Sequence, residues 1–207
     1  MVVKRTKKTI KKWKKYSEIS GVGAITRRYF VMNAFDGALT MLGVVIGAYV
    51  AGVLNSITII SAGIAGSIAM GASGMSGAYM TEKAERSKKL KELEKAMLTN
   101  LRDGLHGKSQ RFATFFAAIV DGVSPALAAM AVISPFFLAN FGIIDPETAF
   151  YACIGLTLSV LVSLGIYLAK ISDESMSRYG LQMLAVGIIT AILCVGSSIL
   201  LGGNVPV

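Results

Sequence analysis

Five long apolar stretches, joined by short polar segments, are the feature that most restricts how this chain can fold. A helix that crosses a hydrocarbon core of about 30 Å needs roughly 20 mostly apolar residues, and each stretch is long enough. They lie near Tyr29 to Val53, Ser56 to Met80, Phe112 to Asn140, Pro146 to Ala169 and Tyr179 to Gly202. The sequence therefore predicts an all-α integral membrane protein with five transmembrane helices.

The distribution of basic residues predicts the orientation of these helices. Of the 21 Lys and Arg residues, ten lie in residues 1–28, nine in residues 81–111, and the other two are Lys170 and Arg178. With five spans all of them fall on one side of the membrane, and the positive-inside rule makes that side the cytoplasm. Four or six spans would break this pattern. We therefore expect the N-terminus in the cytoplasm and the C-terminus outside.

The composition leaves little room for a separate soluble domain, since 54% of the residues are hydrophobic and only 16% are charged. Such values are typical of membrane proteins. We expect a basic cytoplasmic or interfacial segment at residues 1–28 and one five-helix transmembrane domain at residues 29–207. This domain includes a cytoplasmic helix and loop at residues 81–111. The expected location is a cell membrane, with the plasma membrane of a prokaryote as the simplest case.

The basic N-terminal segment predicts contact with lipid. The net charge of +9 would suit nucleic acid, but the run from Lys4 to Lys15 directly precedes a membrane span, so anionic lipid is the expected partner. Ile10, Trp13 and Tyr16 recur on one face of a helix that would lie in the membrane interface. The candidate headgroup-binding residues are Lys8, Lys11, Lys12 and Lys15. The alternative is a positive-inside anchor without specific lipid recognition.

The second span is predicted to continue into the cytoplasm as a helix from Thr81 to Asn100. Its Glu82, Glu85 and Glu92 fall within about 80° of one another at about 100° per residue, which makes them candidates for metal capture. Lysines lie three and four residues from these glutamates, namely Lys88, Lys89 and Lys95. A solvated, ion-paired helix is therefore the alternative.

Two acidic residues lie well inside the predicted spans, Asp36 in the first and Asp121 in the third. A charged carboxylate in hydrocarbon costs at least ~2.5 kcal/mol, so such residues usually line a cavity, form a pair or bind an ion. At 1.5 Å per residue, both lie roughly 10 to 14 Å from the cytoplasmic end of their helices. The alternative is two protonated acids that hydrogen-bond to neighbouring backbone.

Methionine and asparagine side chains lie at a similar predicted depth. Met75 and Met70 lie about 8 and 15 Å above the cytoplasmic end of the second span, and Asn33 lies one turn before Asp36. Carboxylates attract divalent cations, and thioether sulfur shifts the preference towards softer metals, here Fe²⁺ or Mn²⁺. Two acids in one site also raise one pKa, which suits exchange of a metal ion against protons. Filling of apolar gaps is the alternative role for the methionines.

Small residues and prolines indicate how the helices pack. Both acid-bearing helices contain an Asp-Gly pair, Asp36-Gly37 and Asp121-Gly122, which is either a parallel internal repeat or chance. Pro125 and Pro135 are expected to bend the third span and to free two carbonyls. Stripes of small residues allow close packing within the chain, and a homodimer seam along the first span is the alternative. The stripes are Gly43, Gly47 and Ala51 on the first span and Gly71, Gly74 and Gly77 on the second.

The stretch from Arg28 to Gly52, in which Asn33-Ala-Phe-Asp36-Gly37 opens an apolar Gly-rich helix, resembles the first span of the vacuolar iron transporter family. The residues from Ala62 to Tyr79, which include Ser73-Gly74-Met75, are similar to the second span of that family. The residues that resemble its third span are Gly122 and Pro125. The resemblance covers nearly the whole chain, including five helices and the basic loop.

This resemblance implies proton-coupled export of Fe²⁺ or Mn²⁺ from the cytoplasm by a homodimer whose first helices line the path. Asp36 matches the transport aspartate of the family. Gly74 stands where the family has methionine, with Met75 adjacent, and Gly66 stands at the usual glutamate. Asp121 is additional and is a candidate replacement for that carboxylate. The long Glu-rich cytoplasmic metal-binding domain of the family is reduced here to about one helix.

The sequence thus favours a divalent metal transporter in which Asp36 and Asp121 alternately hold metal and protons, with the metal as substrate and no permanently bound cofactor. A second hypothesis is a non-transporting membrane scaffold or lipid-binding protein. An enzyme is not expected, because the chain lacks clustered histidines, a Ser-His-Asp arrangement and a Gly-rich phosphate loop. Cys153 and Cys194 lie in apolar spans without CxxC spacing and are expected to be buried.

Overall fold

The computed structural model describes residues 13–102 and 104–202, and the regular structure in these residues is helical. A short helix, α1, covers residues 13–20. Five long helices follow: α2 (Val22–Val50), α3 (Ser56–Met97), α4 (Leu105–Asn140), α5 (Pro146–Ser172) and α6 (Met176–Leu200). All five are long and apolar enough to cross a membrane. The predicted all-α fold with five spans is confirmed, and the orientation of the spans stays a prediction.

Two of the helices extend well beyond their apolar segments. Helix α2 begins at Val22 rather than at Tyr29. Helix α3 is 42 residues long and continues past the apolar segment to Met97, which confirms the predicted extension. Hydropathy marks only the part of a helix that suits lipid, whereas Lys, Glu and Arg are good helix formers and prolong the helix in water. The helix ends where Leu98 adopts a positive φ of 50°.

Helix α4 is continuous through both of its prolines. Pro135 has no N–H, so the carbonyl of Ala131 one turn earlier loses its helical partner. The hydroxyl of Ser134 donates a hydrogen bond of 2.7 Å to this carbonyl. The thiol of Cys153 in α5 donates to the next carbonyl, that of Val132, over 2.9 Å. The expected burial of Cys153 is confirmed, since its side chain is fully covered.

The connection between α4 and α5 is closed by a helix cap built from neighbouring residues. Gly142 adopts a positive φ of 73°, which lets the chain reverse without strain. Asp145 is the N-cap of α5, and its carboxylate accepts hydrogen bonds of 2.8 Å from both the N–H and the hydroxyl of Thr148. These bonds hold the pKa of the Asp145 carboxyl below its ordinary value. Pro146 occupies the first turn, where no N–H is needed.

The chain folds as two compact units. The first unit contains the described residues up to Phe30 together with Gly71–Val123. The second contains Val31–Met70 and the described residues from Ser124 onward. Helices α2, α3 and α4 therefore each contribute to both units, whereas α5 and α6 belong to the second alone.

Each unit has its own apolar core. In the second unit, buried side chains from α2, α3, α4 and α5 form a large cluster, and Met41, Phe136 and Leu161 are among its fully buried members. In the first unit the core is smaller and is built mainly from small side chains. Its buried residues are Val22, Ala113 and Ala117, with Tyr29 and Phe112 packed against them.

Candidate metal-transport site

In the first unit, Asp121 lies where α3 and α4 approach closely. Its side chain is only 9% exposed. A Cβ atom on Gly122 would collide with the carbonyl oxygen of Gly71 and would lie 2.9 Å from the Cβ atom of Met75. A Cβ atom on Gly74 would lie 2.9 Å from Oδ2 of Asp121. Glycine at these positions therefore lets the two backbones meet and leaves room for the Asp121 carboxylate.

In the second unit, Gly37 follows Asp36 and allows a similar contact between α2 and α4. A Cβ atom on Gly37 would collide with the carbonyl oxygen of Pro125 and would lie 2.7 Å from its Cα atom. Backbone atoms cannot move aside as the end of a side chain can, so the contact requires glycine. The Asp36 side chain itself is exposed.

The two Asp-Gly pairs thus share a structural role. At both Gly37 and Gly122 the backbone of a neighbouring helix makes close contact, and each glycine directly follows an aspartate. The sequence showed this pattern but not the partner of either glycine. The role in packing explains why glycine occurs twice, and descent from an internal repeat stays a prediction.

The remaining predicted transport ligands divide between the units. Met75 lies in the first unit with Asp121, and its side chain is 39% exposed. In the second unit, Met70 packs against the apolar core and Asn33 is half-buried. Among the described residues, no three His, Cys, Asp or Glu side chains are grouped closely enough to hold a metal ion. A mixed ligand set of carboxylate and thioether groups therefore stays a prediction.

Glu82, one of the glutamates predicted to capture metal, is buried near the base of the α3 extension. Its carboxylate accepts a hydrogen bond of 2.6 Å from Nε of Arg86 and one of 2.8 Å from the hydroxyl of Tyr29. The Glu82 and Arg86 side chains are 5% and 7% exposed. The spacing of four residues indicates such a pair, but burial of the pair was not visible in the sequence. Both oxygens of this carboxylate therefore already have donors.

The other two glutamates of the extension are exposed. Glu85 forms an ion pair of 2.7 Å with Lys89, one turn along the same helix. The hydrogen bond from Lys89 holds the pKa of the Glu85 carboxyl below its ordinary value. Glu92 is exposed on the same extension. Metal capture by these residues stays a prediction, and a metal ion at Glu85 would compete with its ion pair to Lys89.

The N-terminal helix α1 packs against the beginning of α4. The rings of Trp13 and Tyr16 each lie 5.9 Å from the ring of Phe112. The hydroxyl of Ser109 donates a hydrogen bond of 2.8 Å to the carbonyl of Tyr16. Lys15 is exposed on this helix. Three of the predicted headgroup-binding lysines lie outside the described residues, namely Lys8, Lys11 and Lys12. Lipid binding by the four lysines stays a prediction.

Alanine at position 122 is expected to destabilise the protein by at least about 1–3 kcal/mol, because the added methyl group would overpack a contact with backbone atoms. Gly196 in α6 is a matched control, since a Cβ atom there would meet no atom within 4 Å. Gly196→Ala should be neutral or slightly stabilising, because alanine favours helix. The free energy of unfolding of both variants is measured in mixed micelles. Equal stability of the two would contradict the contact described for Gly122.

Two comparisons with known proteins bear on this site. A sequence model of the VIT family matches residues 27–108 and 89–198, which include both Asp-Gly pairs. An uncharacterized protein of Methanocaldococcus jannaschii is 36% identical over 170 residues, which cover 81% of this chain and 85% of the relative. The chain therefore belongs to the VIT family, the vacuolar iron transporter family that its sequence resembles.

Proposed function

We propose that this protein exports Fe²⁺ or Mn²⁺ from the cytoplasm in exchange for protons. Its family is one of membrane transporters of metal ions rather than of enzymes. The observation that carries the proposal is the carboxylate of Asp121, 9% exposed in the middle of an apolar helix. An acid in such a place is costly, and in membrane proteins it usually belongs to an ion or proton pathway.

The ligand chemistry supports a transition metal as substrate. Met75 packs beside Gly122, the residue after Asp121, so a thioether and a carboxylate occur at one helix crossing of the first unit. Oxygen ligands alone would suit Mg²⁺ or Ca²⁺, whereas a sulfur ligand favours softer ions. A carboxylate must lose its proton to bind a metal ion, so binding of one releases the other. Asp36 and Asp121 are the two acids that we assign to this exchange.

A homodimer is part of the proposal, and the surfaces of α2 and α3 support it. Asp36 is exposed in an apolar helix, a position that lipid does not stabilise. Only 17% of the most apolar part of α3 is buried, compared with 50% for α4, and α6 is less buried still at 6%, so the small residues of α3 are what favour it as a seam. The exposed side of α3 carries small residues spaced by three and four positions, which allow a second helix to approach. These residues are Ala62, Ala65, Ala69, Ala72 and Ser76.

The stripe predicted on the first span fits this dimer less well. A Cβ atom on Gly43 would lie 3.4 Å from Sγ of the half-buried Cys194 of the same chain, so Gly43 packs within the protomer. Gly47 and Ala51 remain open to a partner, so only part of this stripe is available. We therefore assign the seam to α3. The membrane we propose is the plasma membrane of a prokaryote, with anionic lipid at the N-terminal segment and no permanently bound cofactor.

Flux into proteoliposomes tests the proposal directly. Purified protein is reconstituted, and entry of Fe²⁺ and Mn²⁺ is followed with a pH gradient of either sign. We expect flux that depends on the gradient, and loss of that flux to the level of protein-free liposomes in Asp36→Asn. Asp145→Asn is the matched control, because asparagine is also a good N-cap and this residue lies outside the spans. Undiminished flux in Asp36→Asn would contradict the proposed mechanism.

The same preparations test the scaffold or lipid-binding alternative. That alternative expects no flux in any variant and no metal bound to the purified protein. Elemental analysis of wild type against Asp36→Asn and Asp121→Asn shows whether metal binds and whether the two acids hold it. Bound metal that disappears in both variants supports transport. Metal content equal to that of a buffer blank, together with absent flux, favours the scaffold.

A further inference from the structure

A cavity of about 210 Å³ lies between the extension of α3 and the first turns of α4, within the first unit. Its volume is below the roughly 300–1,000 Å³ of sites for drug-sized ligands, so it suits a small chemical group. None of the described residues that line it is acidic. Five basic side chains line it, namely Lys83, Arg86, Lys91, Arg102 and Arg111. Such a cavity favours an anion.

Arg86 is the central feature of this cavity because it is buried and incompletely paired. The residue is only 6% exposed. Its Nε donates to Glu82 over 2.6 Å, and its Nη1 donates to Oε1 of Gln110 over 2.8 Å. Among the described residues, its Nη2 is buried and has no hydrogen-bond partner. Buried polar groups in native proteins almost always have partners, so this nitrogen is suited to receive an acceptor from a ligand.

The charges around the cavity leave an excess of positive charge. Glu82 offsets Arg86, and the Glu94 carboxylate lies 3.5 Å from Nε of Arg102. Lys83 lies over the ring of Tyr79, with 5.6 Å from Nζ to the ring centroid, an arrangement that leaves its charge uncancelled. In the described part of the chain, Arg86 and Arg102 are thus the two lining cations that form ion pairs, and the nearby Glu85 is paired with Lys89, which does not line the cavity.

The turn between α3 and α4 brings Arg102 to this cavity. A Cβ atom on Gly107 would collide with the carbonyl oxygen of Arg102 and would lie 2.6 Å from its carbonyl carbon. The N–H of Gly107 also donates to the carbonyl of Leu101 over 3.2 Å. Glycine at position 107 therefore lets the turn fold back tightly onto α4. The cavity is formed by this packing rather than by flexible surface side chains alone.

We propose that this cavity binds a phosphate group. A phosphate monoester carries nearly two negative charges and three strong acceptor oxygens, which match an excess of cations and a free guanidinium donor. Arginine binds phosphate with directed, charge-assisted hydrogen bonds. Neither Asp36 nor Asp121 lines this cavity, so the proposal does not depend on the proposed transport activity.

The phosphate has two chemical sources, an anionic lipid headgroup or a soluble phosphate ester. The cavity adjoins the end of the α3 span on the predicted cytoplasmic side, where basic pockets between membrane helices bind headgroups. Inorganic phosphate would reach the same cations from water. Both sources supply the same ligand chemistry, and binding measurements distinguish them.

The test uses the full chain in phosphatidylcholine nanodiscs. One arm titrates inorganic phosphate by calorimetry, and the other measures binding of short-chain phosphatidic acid by native mass spectrometry. Lys91→Gln and Arg111→Gln each remove one exposed lining cation and should weaken binding about tenfold, as loss of one charge-assisted hydrogen bond does. Lys88→Gln is the matched control, since Lys88 is exposed on the same helix but does not line the cavity.

A third variant, Arg86→Lys, keeps a positive charge but removes Nη2, and it should lose more affinity than Lys91→Gln. Binding in either arm that weakens in the lining variants and not in Lys88→Gln supports the site, and the arm that binds identifies the source. Absence of binding in both arms overturns the proposal. Equal weakening in Lys88→Gln also overturns it, because it would show a general charge effect. The exposed variants remain decisive even where Arg86→Lys fails to fold.

Discussion

Replacing Asp121 by asparagine is expected to reduce metal flux to the level of protein-free liposomes. Asparagine has nearly the same shape as aspartate, so it fits in the space beside Gly74. A Cβ atom added to Gly74 would lie 2.9 Å from Oδ2 of Asp121, so this space depends on glycine. It cannot carry a negative charge or exchange a proton, so it removes both functions that we assign to the acid. Flux measured in proteoliposomes against both pH gradients gives the result.

The stability of this variant is informative as well. Asparagine is close to aspartate in shape and keeps a hydrogen-bond acceptor, so unfolding in mixed micelles shows whether Asp121→Asn folds as stably as wild type. Asp145→Asn again serves as the control for an aspartate outside the spans. Loss of flux in a stable Asp121→Asn protein assigns the acid to transport. Wild-type flux with an unchanged response to pH would show that Asp121 only packs α4 against α3.

Replacing Glu82 by glutamine is expected to destabilise the protein by about 3–5 kcal/mol, the usual cost of leaving one member of a buried ion pair without its partner. Glu82 and Arg86 are 5% and 7% exposed, so water cannot take the place of the lost carboxylate. Glu85→Gln is the matched control on the same helix, because Glu85 and Lys89 are 61% and 66% exposed. Exposed pairs contribute little, so this variant should unfold like wild type.

A double variant tests whether the unpaired charge of Arg86 causes the loss of stability in Glu82→Gln. Glu82→Leu with Arg86→Met replaces the pair by apolar side chains, a change that is often neutral. We expect this protein to unfold less easily than Glu82→Gln alone, as measured in mixed micelles. If Glu82→Gln instead keeps full stability and loses only metal uptake, the residue captures metal, as the sequence pattern alone would also allow.

Features that depend on local sequence were predictable. The five spans follow from hydropathy, and the N-cap at Asp145 follows from its place before Pro146, because a cap involves only neighbouring residues. The α3 extension likewise follows from its own residues and is confirmed to Met97. Each of these predictions needed no information about which face of a helix meets another.

Features that depend on helix rotation were not predictable. Glu82 and Glu85 are both followed four residues later by a basic side chain, yet only the first pair is buried. The sequence predicts similar depths for Asp36 and Asp121, and both precede a glycine, yet only Asp121 is buried. Hydropathy gives the depth of a residue along a helix but not the direction in which its side chain points.

The continuity of α3 places its charged side chains at different distances from the end of the membrane span. From Thr81 to Met97 the helix extends about 24 Å at 1.5 Å per residue. Salt screens charges over about 8 Å under physiological conditions, so the extension spans roughly three screening lengths. With the lipid surface near Thr81, where hydropathy places the end of the span, Lys83 would experience the potential of the lipid surface and Lys95 that of the bulk solution. We therefore expect changes in salt to act differently on the two ends of this one continuous helix.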